Sequence, residues 1–555
     1  MMVQVFSIIV IFLIYVISTI ILFSKTSFLK NELIYNYKLI LILLGIAILA
    51  KFPLFGHYFF GLEYEDAYIY NAFARALLYI QHLPATPFLT QGCLFGSLRN
   101  CYLSGTYSGH LITFPAIVYS IFRLIGYSPY TILYINLICS LLSVILIFLI
   151  AKILINDNSY AAITAGIFAL TPIINVFHTS GLSETFSSTW ILLFLYIFLL
   201  KYVQRAECRK YTYLFWLSLI FSLTIATLIK RENLLILLTP FIAIFIQSIK
   251  ARKRILQELF RFTPIIILTG AIILFYLFYI RLNYTVITDQ TDIGCLTFDL
   301  KFFGSIFPMF LKSFFNLRWF FIFSYSTIIG VCFIFLRIKK YNNFLYPVFF
   351  FFSFLLLYSL HYRSYAFVKY GEIHGFETLR YISNLFPFYC FFSGLGLFKI
   401  YEKFKPSNLI TKPLFFKPFV IIFILLLIFQ SQNLKFRFSN IELEERITPV
   451  KETLKFANNG IIITNEPLLF QIFGDANVKI IELSCIGKSI QKKDIVKMIK
   501  ENNVMYLEKF PYESYSKDMR IQPAIDIIKD FIQVSVIKSS TNFQLYQLKL
   551  QDNEL

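Results

Sequence analysis

Three carboxylates within four positions, Glu63, Glu65 and Asp66, lie in a polar stretch that directly follows an apolar run. Carboxylates beside a hydrocarbon boundary cost free energy unless they face water or a binding partner. A carboxylate within hydrogen-bond reach of a hydroxyl group can act as its general base. The cluster therefore has two interpretations, an ordinary solvated loop or a proton-transfer site, and the surrounding chain decides between them.

The composition places this cluster in a membrane protein. Of 555 residues, 58% are hydrophobic and only 15% are charged, and apolar stretches of bilayer-spanning length recur along most of the chain. Such stretches indicate transmembrane helices, because a helix satisfies its own backbone hydrogen bonds in hydrocarbon. The net charge of +20 could suggest a nucleic-acid partner, but in a membrane protein excess Lys and Arg more often mark cytoplasmic loops. We therefore expect membrane lipids and no nucleic acid as partners.

Basic residues predict the side of the membrane on which each loop lies. Lysines follow the first apolar run, 5–23, so its connection to the second run, 39–55, is cytoplasmic and loop 56–130 is external. No basic residue precedes the first run, which favours an uncleaved helix over a signal peptide. Four later basic clusters are cytoplasmic only if the apolar segment 110–126 does not cross. We therefore interpret that segment as an interfacial or re-entrant helix.

This topology gives about twelve transmembrane crossings by the twenty-residue criterion. After the first two, the predicted spans are 132–152, 160–177, 186–202, 212–229, 234–249, 262–280, 317–336, 344–360, 381–400 and 415–429. From about Ser431 charged residues become frequent and strand-length apolar runs alternate with helical stretches. The predicted fold is an all-α polytopic membrane domain, 1–431, with juxtamembrane helices in its first external loop, followed by a small external α/β domain, 432–555.

Further polar residues collect on the external side of this topology. Each has an ordinary explanation when it is taken alone. Glu184 can cap the helix that begins near Thr185, and Lys230 with Arg231 can snorkel at a helix end. As a set on one side of the membrane they predict a site that opens to the outside: Glu65, Asp66, Arg75, His110, Glu184, Lys230, Arg231 and Arg380.

The segment from Glu65 to Arg75 resembles the first external loop of the GT-C superfamily, integral-membrane glycosyltransferases that use polyprenyl-phosphate sugars. The superfamily includes protein O-mannosyltransferases, lipid A aminoarabinose transferases and bacterial arabinosyl- and mannosyltransferases. In these enzymes an acidic pair begins a juxtamembrane helix with the pattern Asp-Ala-Tyr-Ile, then Ala-Arg. Three further segments are similar to family features, namely a second juxtamembrane helix at 110–126, a second external acidic site at 171–184, and the late pair Arg380-Tyr381. The likeness covers roughly residues 38–400 and leaves the C-terminal domain unmatched.

The resemblance implies an inverting glycosyltransferase on the extracytoplasmic face of a membrane, most simply a bacterial inner membrane. Nucleotide sugars are absent there, so the donor is a polyprenyl-phosphate-linked sugar, and the acceptor is a lipid, a glycan or a protein. We expect Asp66 to be the general base, with Glu65 as its partner or as a group that orients the acceptor. Cationic side chains are expected to bind the departing phosphate. The expected substrate-binding residues are Arg75, His110, Glu184, Lys230, Arg231, Arg380 and Tyr381. Some branches use a divalent ion, but no dedicated metal cage is evident, and we expect neither metal nor cofactor.

Other functions share part of this pattern. A transporter or flippase of lipid-linked sugars usually has ionisable residues near the membrane midplane, often at broken helices, whereas the predicted span centres here are nearly free of charge. An O-antigen-type polymerase or ligase also has external arginines, but the Glu-Asp-Ala-Tyr motif argues against it. A non-catalytic scaffold leaves the one-sided polar set unexplained.

Overall fold

The structure, a computed structural model, describes most of the helical part of the chain and most of its C-terminal region. The described ranges are 2–25, 27–51, 113–203, 212–230, 299–360, 382–404, 424–430, 443–457, 460–464, 467–473, 479–483, 490–509, 522–531, 536–539 and 543–550, with separate positions within 70–78, the pair 95–96 and single residues 233, 235, 236, 267, 270, 379, 421 and 486. Two compact units result, the first comprising Met1–Gly61, Leu111–Thr113 and Leu133–Phe438. The second comprises Leu62–His110, Phe114–Ile132 and Ser439–Leu555.

The described residues before 405 are almost entirely helical. In chain order the helices are α1 (Met2–Lys25), α2 (Ser27–Lys51), α3 (Thr113–Ile125), α4 (Thr131–Leu154), α5 (Asn158–Leu170), α6 (Pro172–His178), α7 (Ser183–Val203), α8 (Thr212–Ile229), α9 (Leu300–Phe314), α10 (Leu317–Phe320), α11 (Phe323–Leu336), α12 (Leu345–Leu360) and α13 (Phe386–Phe404). Short 3₁₀ turns at Asn342–Phe344 and Ser383–Leu385 precede α12 and α13. Helix α9 has no counterpart among the predicted spans.

Four of these helical stretches are long and apolar enough to cross a bilayer: Asn31–Lys51, Thr131–Leu154, Ser183–Leu200 and Asn342–Leu360. Helices α5 and α6 make a fifth if they are taken together, although they are bent by 64° at their junction. The predicted span 160–177 is therefore interrupted, because Pro172 begins a new helix and restricts the residue before it to extended backbone. The protein is an integral membrane protein, and the full count of twelve crossings stays a prediction.

Helices α11 and α13 approach so closely that small residues are required between them. A Cβ atom at Gly330 would lie 1.9 Å from the carbonyl oxygen of Phe392, and one at Gly396 would lie 1.9 Å from that of Ser326. The hydroxyl groups of Ser326 and Ser393 are 2.6 Å apart across the same contact. Small residues that let backbones meet are typical of helix pairs in membranes, where burial of apolar surface does not drive association.

The second unit contains a six-stranded sheet. Its strands are β1 (Phe95–Gly96), β2 (Ile461–Thr464), β3 (Lys479–Glu482), β4 (Val504–Lys509), β5 (Val536–Ser539) and β6 (Phe543–Gln547), in the order β1-β3-β2-β4-β6-β5. Strand β2 pairs in parallel with β3 and β4, and the other pairings are antiparallel. The helices are α14 (Leu443–Ala457), α15 (Pro467–Phe473), α16 (Lys492–Glu501) and α17 (Gln522–Lys529). The predicted C-terminal sheet with helices is confirmed, and β1 shows that loop 56–130 adds a strand to it.

Candidate functional site

Two of the residues selected from the sequence, Glu184 and Lys230, form a buried ion pair in the helical unit. The Lys230 Nζ atom lies 3.1 Å from Oε1 of Glu184, and the side chains are 13% and 4% exposed. Glu184 is in the first turn of α7, where a negative charge is favoured by the helix dipole, and Lys230 directly follows α8. Antiparallel helices thus bring together two residues that are 46 positions apart in the sequence.

Amides and hydroxyl groups continue this polar region between the same helices. The Asn233 side-chain amide donates to Oγ of Ser187 at 2.8 Å and to the Ala226 carbonyl at 2.6 Å. The Asn384 amide donates to Oδ1 of Asn233 at 3.4 Å, and the Ser188 hydroxyl donates to Oδ1 of Asn384 at 3.2 Å. These side chains are buried, with Ser188 the most exposed at 2% and Ser187, Asn233 and Asn384 at 0%. The network fixes the start of α7, the end of α8 and the turn before α13 against one another.

The two asparagines were not among the residues selected from the sequence. Asn233 follows the polar run that begins at Lys230, and Asn384 lies four positions after Arg380. Both therefore carried a weak signal, which was their closeness in sequence to candidate site residues. Their mutual contact joins positions 151 apart, and no local pattern predicts it.

A second buried polar group lies at the end of α2. Lys51 is fully buried, and its Nζ atom donates to Oδ1 of Asn175 in α6 at 2.7 Å. On the same short helix, Nδ1 of His178 is 2.8 Å from the Ser140 hydroxyl oxygen. Lys51 lies within the predicted span 39–55, and an ionisable residue inside such a span is a functional-site hypothesis by default. The sequence itself carries this signal, because Lys51 interrupts an apolar run.

The second unit holds Arg75, the remaining described candidate, in protein contacts. The Arg75 Nη1 atom donates to the Ile472 carbonyl oxygen at 2.9 Å, and the Tyr127 hydroxyl donates to the same oxygen at 2.6 Å. The guanidinium carbon lies 4.2 Å from the centre of the Tyr127 ring, a cation–π distance. Arg75 is 7% exposed, so this arginine is enclosed by parts of the loop and the C-terminal domain.

Further contacts join the segments of the first loop that surround Arg75. The Asn71 amide donates to the Pro129 carbonyl at 2.6 Å, and the rings of Tyr70 and Phe114 meet edge to face at 5.4 Å. Between α3 and Tyr127 the chain turns at Gly126, whose φ of +90° is strained for any residue with a Cβ atom. The helical positions 70–78 and α3 are therefore packed as a pair.

Six of the predicted site residues lie outside the part of the chain that the structure describes: Glu65, Asp66, His110, Arg231, Arg380 and Tyr381. Their roles stay predictions. Within the described ranges, no group of three or more His, Cys, Asp or Glu side chains could hold a metal ion. The acidic pair of the first loop lies outside those ranges.

Comparison with known proteins rests on structure alone. No family model matches the sequence, and no curated protein matches it. The chain superimposes on ArnT from Cupriavidus metallidurans bound to undecaprenyl phosphate, over 93% of this chain and 98% of ArnT, with a TM-score of 0.58 and 9% identity. Apo ArnT gives 78% and 86% coverage, a TM-score of 0.52 and 11% identity.

The archaeal oligosaccharyltransferase AglB from Archaeoglobus fulgidus, solved with an inhibitory peptide and a dolichol-phosphate, matches with a TM-score of 0.48 and 11% identity over 88% of this chain and 70% of AglB. We base the assignment on the two ArnT structures. At such low identity they establish a shared fold and not a shared reaction. This chain therefore shares the fold of ArnT, in keeping with the GT-C resemblance of the segment from Glu65 to Arg75.

Proposed function

We propose that this protein is a membrane glycosyltransferase that moves a sugar from a polyprenyl-phosphate donor to an acceptor hydroxyl group on the extracytoplasmic side. The observation that carries the proposal is the fold shared with ArnT over 93% of the chain, since that ArnT structure holds undecaprenyl phosphate. The acidic motif of the first loop supplies the chemistry that such a transfer needs. The acceptor is a lipid, a glycan or a protein.

In the proposed reaction, Asp66 takes the proton of the acceptor hydroxyl group while its oxygen attacks the anomeric carbon. The bond from that carbon to the phosphate oxygen breaks, its electron pair leaves with the polyprenyl phosphate, and the configuration inverts. Glu65 is the proposed partner of Asp66. A positioned general base contributes about 10²- to 10⁴-fold to the rate, and the mechanism requires no metal ion.

The departing phosphate gains negative charge and must be stabilised by cations. Lys230 is one proposed contact, because an ammonium group has three N–H donors and its contact with Glu184 uses one of them. Glu184 would then orient Lys230. Arg380 and Arg231 are proposed to bind the phosphate as well, since a guanidinium group can donate two parallel hydrogen bonds to it. His110 and Tyr381 are proposed to contact the sugar or the acceptor.

Replacement of Asp66 by Asn tests the proposal directly. In a deletion strain, mass spectrometry of lipids and glycans should reveal a missing sugar, which the wild-type gene restores. The Asp66→Asn variant should transfer sugar about 10²- to 10⁴-fold more slowly, because the amide cannot accept the proton. The matched control is Glu63→Gln, which removes a nearby carboxylate without a proposed role and should restore the sugar.

Different results would overturn different parts of the proposal. A variant with near-normal turnover would exclude Asp66 as the base, and an unchanged glycan profile in the deletion strain would argue against a glycosyltransferase. Activity that is lost in EDTA and restored by Mg²⁺ or Mn²⁺ would contradict the metal-free mechanism. A cysteine at position 66 should react with reagents that do not cross the membrane, and labelling only from the cytoplasmic side would contradict the proposed sidedness.

A transporter of lipid-linked sugars is the second candidate, and two observations favour it. The helix pair α5 and α6 is bent by 64°, and the buried Lys51 contacts Asn175 beside that bend. Broken helices and buried ionisable residues are typical of transport pathways. The two functions differ in their products. A transporter moves a labelled lipid-linked sugar between leaflets of a vesicle without consuming it, whereas the enzyme releases polyprenyl phosphate.

A further inference from the structure

We propose that Arg75 is a positioning residue that ties the juxtamembrane helical segment following the acidic pair to helix α15 of the C-terminal domain. The role in catalysis rests on the function proposed above. The contact itself does not, because it is formed by protein atoms only. It gives the C-terminal domain, for which the sequence offers no motif, a role in the reaction, namely to hold the helical segment that follows Asp66 in the sequence.

The acceptor of this contact is a carbonyl group that the helix itself leaves open. Ile472 is the penultimate residue of α15 (Pro467–Phe473), and the last four carbonyl groups of a helix have no partner within the helix. Arginine side chains commonly satisfy such groups. Here the arginine comes from a segment almost 400 positions earlier in the sequence, with 2.9 Å between Nη1 of Arg75 and the Ile472 oxygen.

A second donor reaches the same carbonyl oxygen from the other part of the loop. Tyr127 follows α3, its hydroxyl group donates to the Ile472 oxygen at 2.6 Å, and its ring lies under the Arg75 guanidinium group. Phe122 of α3 supports that ring edge to face at 5.0 Å. One backbone oxygen of the C-terminal domain therefore fixes both helical parts of the first loop.

The sheet provides a second, independent connection. Strand β1 of the loop pairs antiparallel with β3, with Phe95 opposite Ile481 and Gly96 opposite Ile480. The loop is thus attached to the C-terminal domain at three places, namely Arg75, β1 near its middle, and Tyr127. A long loop that is fixed in this way loses far less conformational entropy when substrate binds than a loose one would.

A positioning role and a direct contact with the donor phosphate make different predictions for Arg75→Met. If Arg75 positions the loop, kcat falls about a hundredfold, because small displacements of a catalytic group are costly, and the affinity for undecaprenyl phosphate is unchanged. If Arg75 binds the donor, that affinity falls. The 7% exposure of Arg75 favours the first outcome.

The test uses the full-length protein in lipid nanodiscs and measures amide hydrogen exchange together with binding of undecaprenyl phosphate. In Arg75→Met, exchange across residues 70–78 should become about ten- to a hundredfold faster, the range expected for loss of a hydrogen bond to a charged group. Tyr127→Phe, which keeps the ring and removes only the hydroxyl group, should have a smaller effect of the same sign. Binding of undecaprenyl phosphate should be unchanged in both variants.

The matched control is Arg123→Met, since Arg123 is an exposed arginine on α3 and its loss should leave exchange at 70–78 unchanged. Unchanged exchange in Arg75→Met, or loss of undecaprenyl phosphate binding without faster exchange, would overturn the proposal. If Arg75→Met also exposes strands 461–464 and 504–509, the milder Tyr127→Phe decides. A failure of the glycosyltransferase assay in the wild-type protein would leave the exchange result valid, so the two proposals fail separately.

Discussion

Two ion pairs in this protein have almost the same geometry and very different surroundings. In the helical unit, Lys230 and Glu184 are 3.1 Å apart with side chains 13% and 4% exposed. On the C-terminal domain, Lys492 and Asp530 are 3.2 Å apart with side chains 48% and 56% exposed. Since the distances match, burial is the main difference between the two pairs. In the first pair, water cannot readily hydrate a charge whose partner is lost, whereas in the second pair it can.

Burial determines how much stability is lost when one partner of an ion pair is removed. A lone charge on a surface is hydrated, so exposed pairs contribute between zero and about 1 kcal/mol. A lone charge in the interior keeps its desolvation penalty, and breaking a buried pair costs about 3–5 kcal/mol. Charges that are kept buried at such cost usually serve a function. The position of Glu184 and Lys230 in the network with Asn233 and Asn384 agrees with the role in phosphate binding proposed for Lys230.

The largest expected effect is that of Lys230→Met. Methionine keeps approximately the length of the side chain but removes the ammonium group that contacts the Glu184 carboxylate. We expect the free energy of unfolding in detergent to fall by about 3–5 kcal/mol, measured by chemical denaturation followed through tryptophan fluorescence.

The control for this prediction is the double variant Glu184→Gln with Lys230→Met, which removes both charges. It should recover most of the lost stability, because no uncompensated charge is left. If the free energy of unfolding of the single variant falls by less than about 1 kcal/mol, this pair contributes no more than an exposed pair does. Burial would then not distinguish it from Lys492 and Asp530.

The sequence predicts those parts of the structure that depend on the residue types within a short stretch of chain. Apolar runs of strand length predict strands at 460–464 and 478–483, and the structure has β2 at Ile461–Thr464 and β3 at Lys479–Glu482. Glu184 and Lys230 were selected because charged residues are costly beside a membrane and the topology put both on one side. Local pattern was sufficient for the strands. The structure brings Glu184 and Lys230 into contact, and their role in substrate binding stays a prediction.

Other features depend on contacts between positions that are distant in the sequence, and no local sequence pattern predicts them. Strand β1 has only two residues, too few for any periodicity, and exists because β3 offers an edge. The sequence predicts Arg75 as a substrate-binding residue, and that role stays a prediction. A sequence does not show that the Arg75 side chain contacts the carbonyl group of Ile472, because every residue type has a backbone carbonyl group. Pro172 did carry a local signal, and the bend it causes could have been predicted.

A smaller effect is expected from Gly330→Ala, which extends the comparison from charge to shape. The added Cβ atom would lie 1.9 Å from the carbonyl oxygen of Phe392, and backbone on both sides must move. Overpacking of this kind costs about 1–3 kcal/mol. The matched control is Gly45→Ala in α2, where no atom lies within 4 Å of the added group; there alanine should stabilise by about 0.5–1 kcal/mol. Equal effects in thermal unfolding would mean that α11 and α13 are not in close contact.

The smallest expected effect is that of Lys492→Ala, in the exposed pair. Lys492 contacts Asp530 and lies 5.5 Å from the ring centre of Phe531, and each contact at such an exposure contributes less than about 1 kcal/mol. Lys492 is also the first residue of α16, where a positive charge opposes the helix dipole, so its removal relieves an unfavourable term. We expect a net change within about 0.5 kcal/mol, measured by hydrogen exchange of residues 492–501 in the full-length protein. If Lys492→Ala lost as much stability as Lys230→Met, burial would not distinguish the two pairs. In 1 M NaCl the Debye length is about 3 Å, so salt at this concentration should abolish the small contribution of Asp530 to stability.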